Sequence, residues 1–145
     1  MRIALGADDK TRVVDAIFDW LRANGHDVTR YGKAAEEEEA WGRTARRVAE
    51  AVAAGDVDFG VVCCWTGTGV SIAANKVPGV RAALCVDAET ARGARQWNDA
   101  NVLALSLRLT SEQISKEILT AWFGAQYAGT EAESLAVLAA LDGRS

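Results

Sequence analysis

FGVVCCWTGTGVSIAANK, residues 59–76, joins a short apolar run to a Thr/Gly-rich turn and then to a run of small residues, the order of a strand, a loop and a helix start. Val61, Val62, Cys63 and Cys64 are continuously apolar or thiol, too short for a free-standing helix and suited to a strand covered on both faces of a parallel sheet. Trp65-Thr66-Gly67-Thr68-Gly69 then falls at the carboxyl end of that strand, where open α/β sheets bind ligands. Its glycines let backbone N–H groups meet a bound oxygen with no Cβ in the way, and a helix predicted to begin near Val70 adds the positive end of its dipole. The loop is suited to an anion or a developing oxyanion. Cys64 stands at its mouth, where N–H dipoles favour thiolate. A cysteine at a strand end is nonetheless more often a small buried hydrophobe, and Gly-x-Gly alone is a weak signal.

Outward from this stretch, strands and helices alternate. Arg2–Gly6 reads as a strand whose following loop, Ala7-Asp8-Asp9, holds two candidate caps for a helix carrying Val13, Val14, Ile17, Phe18 and Leu21. One of these aspartates is also placed to reach a ligand, because their loop opens on the same sheet edge as Thr66. Asn24-Gly25 stops that helix, which makes His26 a surface turn residue. Asp27–Tyr31 is a second strand, and Glu36–Glu39 is a like-charge run that reads as a solvated face or helix start. A helix follows over 41–54, then, beyond the central segment, a strand over 81–86 containing Cys85. Asp87 caps a helix to about Gln96, Gln96–Asn101 reads as a polar connection broken by Trp97, and Val102–Leu105 is the fifth strand. Thr110-Ser111-Glu112-Gln113 reads as a capping box, and 130–145 as a terminal Ala/Leu helix packed on a partner subunit. The expected fold is a three-layer, doubly wound, Rossmann-like α/β domain over 1–145, with a five-stranded parallel sheet.

Composition narrows the function. With 145 residues, half of them hydrophobic, the chain can bury one core, and its net charge of −4 offers no basic stripe for nucleic acid. No apolar run approaches the roughly 20 residues of a membrane span, and Met1-Arg2-Ile3 opens into a strand pattern rather than a signal peptide. Three cysteines, two of them adjacent and on opposite faces of one strand, fit reduced thiols in a cytoplasm. One histidine and no Cys-x-x-Cys pair argue against a metal site, and no cofactor is called for.

SIAANK (71–76), RQWNDANVLAL (95–105) and AWFGAQY (121–127) resemble, in order and spacing, the ribose-5-phosphate isomerase B family, which includes the subunits of galactose-6-phosphate isomerase. The likeness runs from Ile3 to about Tyr127. It implies an aldose–ketose isomerase working through a cis-enediolate, in a homodimer, with pairing into tetramers left open and active sites at the subunit interface. By resemblance, Cys64 falls on the cysteine general base, Thr66 with the amides of Gly67, Gly69, Val70 and Ser71 on the oxyanion loop, Asp8 on the aspartate that binds sugar hydroxyls, and Asn98 on an interface asparagine. Thr68 lies within the same loop.

The departures cluster. Asp9 stands where the family has a phosphate-contacting histidine, and Trp97 replaces its ring-opening histidine. Glu131 and Leu135 replace two phosphate-clamping arginines, Arg108 retains a third, Trp41 replaces a tyrosine, and Trp65 a glycine. Trading basic groups for carboxylates removes charge-assisted contacts worth roughly 1.5–3 kcal/mol each. The expected substrate is therefore a sugar other than a standard pentose 5-phosphate, with the tryptophans as flat apolar walls. Ordinary ribose-5-phosphate isomerisation and a sugar-binding homologue without turnover are the alternatives.

Overall fold

A computed structural model describes residues 1–143; Arg144 and Ser145, the last positions of the expected terminal helix, lie outside the described residues. Strands β1 (Arg2–Ala7), β2 (Asp27–Gly32), β3 (Phe59–Cys64), β4 (Ala82–Leu84) and β5 (Val102–Ser106) make one parallel sheet in the order β2-β1-β3-β5-β4. Helices α1 (Arg12–Ala23), α2 (Trp41–Ala53), α3 (Thr68–Asn75), α4 (Ala88–Asn98), α5 (Glu112–Gly124) and α6 (Ala132–Asp142) complete the α/β Rossmann-like fold.

Strand alternation divides the interior in two. Ile3, Leu5, Val61, Cys63, Leu103 and Leu105 face α1, α4 and α5, packing against Ile17, Leu21, Ala91, Ile118, Leu119 and Trp122. Ala4, Val62, Cys64, Val102 and Ala104 face α2 and α3, against Val48, Ala49, Val52, Val70 and Ala74. Residues buried on both faces explain why β3 and β5 read as unbroken apolar runs.

The strand order carries the functional consequence. After β3 the chain passes to the outer edge as β4 and returns between them as β5, so the segment leaving β5 lies beside the loop leaving β3. The chain also reverses its winding between β1 and β3, which creates a switch-point crevice at their carboxyl ends.

Several local expectations are corrected. Thr11, not Asp8 or Asp9, caps α1 by accepting the Val14 N–H at 3.3 Å, because β1 runs on through Ala7 and leaves the aspartates in the turn. Ser111 caps α5 through the Ile114 N–H at 3.1 Å, one residue later than the expected box, and Gln113 instead reaches Glu117. β4 is only Ala82–Leu84, with Cys85 buried just beyond it. Asp87 does cap α4, but that helix continues through Trp97 and Asn98 to a left-handed Asp99, so these residues form its last turn and not a loop. His26 is half-buried with its ring 4.4 Å from Phe123, and burial pushes its pKa down. The Glu36–Glu39 run is a solvated face as expected over Glu36, Glu37 and Glu38, which are exposed, while Glu36 meets Lys10, Glu38 meets Lys33, and both Glu37 and the half-buried Glu39 meet Arg47. α6 has no buried residue, and Val137, Leu138 and Leu141 stay exposed.

Candidate active site

The carboxyl edge of the sheet gathers four segments: Asp8-Asp9 after β1, Trp65–Gly67 after β3, Leu107–Leu109 after β5, and Trp41 at the start of α2. Asp8, Asp9, Trp65 and Leu107 line a cleft of about 300 Å³ at the switch point. Cys64 ends β3 at the same edge, 5% exposed and packed on the α2/α3 face beside Val70, and is not among the residues lining this cleft.

The loop above Cys64 is shaped by Gly67. This residue caps α3 at φ +76°, and a Cβ there would lie 2.9 Å from the Leu105 carbonyl carbon and from the Ser106 nitrogen. Alanine must therefore strain both its own backbone and that of β5. Gly67→Ala is expected to cost about 2–4 kcal/mol and lower Tm by about 5–10 °C in calorimetry; an unchanged Tm would mean that the loop relaxes freely.

α3 starts at Thr68, two residues before the expected Val70. The first-turn amides of Thr68, Gly69 and Val70 thus have no intrahelical acceptor, while the Ser71 N–H donates to the Gly67 carbonyl at 3.3 Å. Ser71 is corrected accordingly: its amide is spent inside the helix. The Thr66 and Thr68 hydroxyls share a 2.7 Å hydrogen bond beside these amides. Trp41 closes the flank, because a Cβ on Gly69 would touch its indole at 3.0–3.2 Å. Arg108 is exposed at the same edge, its N–H donating to the Trp65 carbonyl at 3.0 Å.

Asp8 is the titrating group with a resolved shift in the cleft. Burial first, then the neighbouring Asp9 charge, raise its pKa above the ordinary carboxylate value, against the opposing pull of its backbone hydrogen bond. The folded state therefore holds this proton more tightly than the unfolded chain does, so the stability it contributes is present in acid and lost as pH rises through the raised value. Asp8→Asn is expected to raise Tm by about 1–3 °C at pH 7, with the gain vanishing below about pH 4. A melting series across pH checks both halves.

Other candidates lie elsewhere. Asn98 is four residues before Val102, at the amino edge of the sheet, and strands of this length place the two edges about 17–20 Å apart. Trp97 folds back on its own helix, with its ring 2.8 Å from where a Gly93 Cβ would be. Asn98 lines a larger groove of about 570 Å³ with Arg81, Leu135 and Leu138, between α6 and the amino ends of β4 and β5. Glu131 precedes α6, its N–H donating to the Tyr127 hydroxyl at 3.0 Å. Within one chain, then, Trp97, Asn98 and Glu131 are not brought to Cys64. Two residues unmarked in the sequence do sit at the cleft: Leu107 in its wall and Ser106 behind the Trp65 carbonyl at 3.0 Å. The rule that sheet ligands sit at strand carboxyl ends, applied to β5 as well as β3, would have found both.

The amides that open α3 and the desolvated Asp8 carboxyl stand at the switch point of a parallel sheet, the place where α/β enzymes hold their ligands. Residues 3–137 match the family model described as Ribose/Galactose Isomerase, and the chain belongs to that family of sugar-phosphate isomerases. It is 41% identical over 129 residues to ribose-5-phosphate isomerase B of Escherichia coli, covering 88% of this chain and 87% of that one. It is 37% identical over 131 residues to the D-erythrulose-4-phosphate isomerase of Pectobacterium atrosepticum, covering 89% and 86%. The structure of Clostridium thermocellum ribose-5-phosphate isomerase B superposes with a TM-score of 0.91 at 37% identity, over 98% of this chain and 97% of that one.

Proposed function

We propose that the chain, folded as a single domain, interconverts an aldose and a ketose, with Cys64 as general base. The thiolate removes the proton from the carbon next to the carbonyl, leaving a cis-enediolate whose oxygen is held by Thr66 and by the amides of Gly67, Gly69 and Val70. The thiol returns the proton to the neighbouring carbon, while Asp8 moves the other proton between the two oxygens. Such a carbon acid is too weak for an unassisted thiolate; each donor aimed at the oxyanion is worth about 2.7–4 kcal/mol. The observation that carries this reading is that Cys64 ends β3 four residues before α3 begins at Thr68 and is buried in one cluster with Val70 of that helix's first turn.

The substrate proposed is a sugar other than a standard pentose 5-phosphate. At this edge Lys10, Lys33 and Arg47 are already paired with the Glu36–Glu39 run, and the cleft itself presents Asp8 and Asp9. A second copy is proposed to bring Trp97, Asn98 and Glu131 to the cleft, with exposed α6 on the dimer face. Ordinary ribose 5-phosphate isomerisation is the second reading, favoured by the likeness to the Escherichia coli enzyme and by Arg108.

Incubating the protein in D₂O with sugars, sugar phosphates and sugar acids, followed by mass spectrometry, tests the proposal. Deuterium entering next to the carbonyl is expected. Thermal stabilisation by a sugar without any exchange would replace this reading with a binding protein.

A further inference from the structure

Carbonyls along a strand alternate between its two neighbours. At the end of β3 this holds once and then fails. The Cys63 carbonyl accepts the Asp8 N–H on the β1 side at 3.2 Å, and the Cys64 carbonyl accepts the Leu107 N–H on the β5 side at 2.9 Å. The Trp65 carbonyl should turn back to β1, yet it also faces β5, accepting the Arg108 N–H and the Ser106 hydroxyl, each at 3.0 Å. Ser106 is 2% exposed, and its oxygen takes the Leu109 N–H at 3.2 Å. Its single proton is thereby committed to Trp65.

A trans peptide sets N–H opposite C=O. Holding the Trp65 carbonyl toward β5 thus turns the Thr66 N–H to the β1 side, where Asp8 stands. Resting on the isomerase reading above, we propose that Ser106 is a positioning residue for the reaction: its hydroxyl fixes the Trp65–Thr66 peptide so that the Thr66 N–H joins the amides holding the oxyanion. Ser106 itself does not touch the reacting atoms. Without it, the Trp65 carbonyl keeps one donor and the Leu109 N–H loses its acceptor, so the peptide regains freedom to swing.

Ser106→Ala and Ser106→Thr separate positioning from bulk packing. Hydrogen–deuterium exchange resolves the Arg108 and Leu109 amides, which donate to the Trp65 carbonyl and to Ser106, and steady-state kinetics use whichever of D-ribose, D-galactose, ribose 5-phosphate and galactose 6-phosphate the wild type exchanges fastest. In Ser106→Ala, exchange at 108–109 is expected to speed up while β3 amides stay protected, and kcat to fall about tenfold to a hundredfold with little change in KM. Ser106→Thr keeps the hydroxyl and restores slow exchange and kcat. Wild-type kcat in Ser106→Ala overturns the proposal. Loss of turnover in Cys64→Ala beside an unaffected Ser106→Ala sinks the role of Ser106 alone; a wild type that exchanges none of these sugars sinks the isomerase reading and this role with it.

Discussion

Cys64→Ala is expected to slow solvent exchange at the carbon beside the sugar carbonyl by about 10²–10⁴-fold, the usual contribution of a positioned general base. Three thiols are buried, but they are not equivalent. Cys63 points to the opposite face of the sheet, among Ile17 and Leu119, where burial pushes its pKa far up. Burial, then Asp87, push Cys85 up to about 12, and its thiol donates to the Ala83 carbonyl. Neither faces the α3 amides. Cys63→Ala is therefore the control: it removes a packed sulfur and costs stability while sparing the exchange rate. Both variants are read by NMR in D₂O with the sugar that the wild type labels, after circular dichroism has shown them folded. Wild-type labelling in Cys64→Ala would remove the sulfur from the mechanism and leave Asp8 as the base.

The two halves of the site differed in how far the sequence exposed them, for physical reasons. The β3–loop–α3 unit was readable because every signal in it is local: an apolar run, glycines where backbone must approach a ligand, and small residues opening a helix. Cys64 and Thr66 could be placed from that alone. Ser106 could not, since its importance depends on β5 lying beside β3 with Cys64 opposite Ser106, a register that no single-chain pattern encodes. The acidic run is solvated as its sequence indicates, but the cations that meet it, Lys10, Lys33 and Arg47, come from three different segments and could not be read from the run itself. For Trp97 the sequence does carry a local signal. Gly93 lies four residues earlier, on the same helical face, and leaves space for the indole to fold back. That spacing marks the last turn of a helix and puts Asn98 at the far edge of the sheet.

The same division between edges predicts how the protein discriminates among substrates. Ribose 5-phosphate is expected to be turned over with a kcat/KM about 10²–10⁴-fold below that of the preferred sugar, the consequence of two missing charge-assisted contacts at roughly 1.5–3 kcal/mol each. The deficit should be repairable. Glu131 and Leu135 lie before and within α6, remote from their own chain's cleft, so arginines placed there serve a phosphate only if a second copy presents them. A Glu131→Arg/Leu135→Arg variant, with and without Trp97→His, is expected to raise kcat/KM on ribose 5-phosphate by at least about tenfold while lowering it on the unphosphorylated sugar. High ionic strength should erase much of the gain, because the added attraction acts between partly exposed charges. A wild type that already prefers ribose 5-phosphate would show that Arg108 and the α3 amides hold the dianion unaided. A graft without effect in a protein shown by sedimentation to be dimeric would show that α6 does not reach the neighbouring cleft.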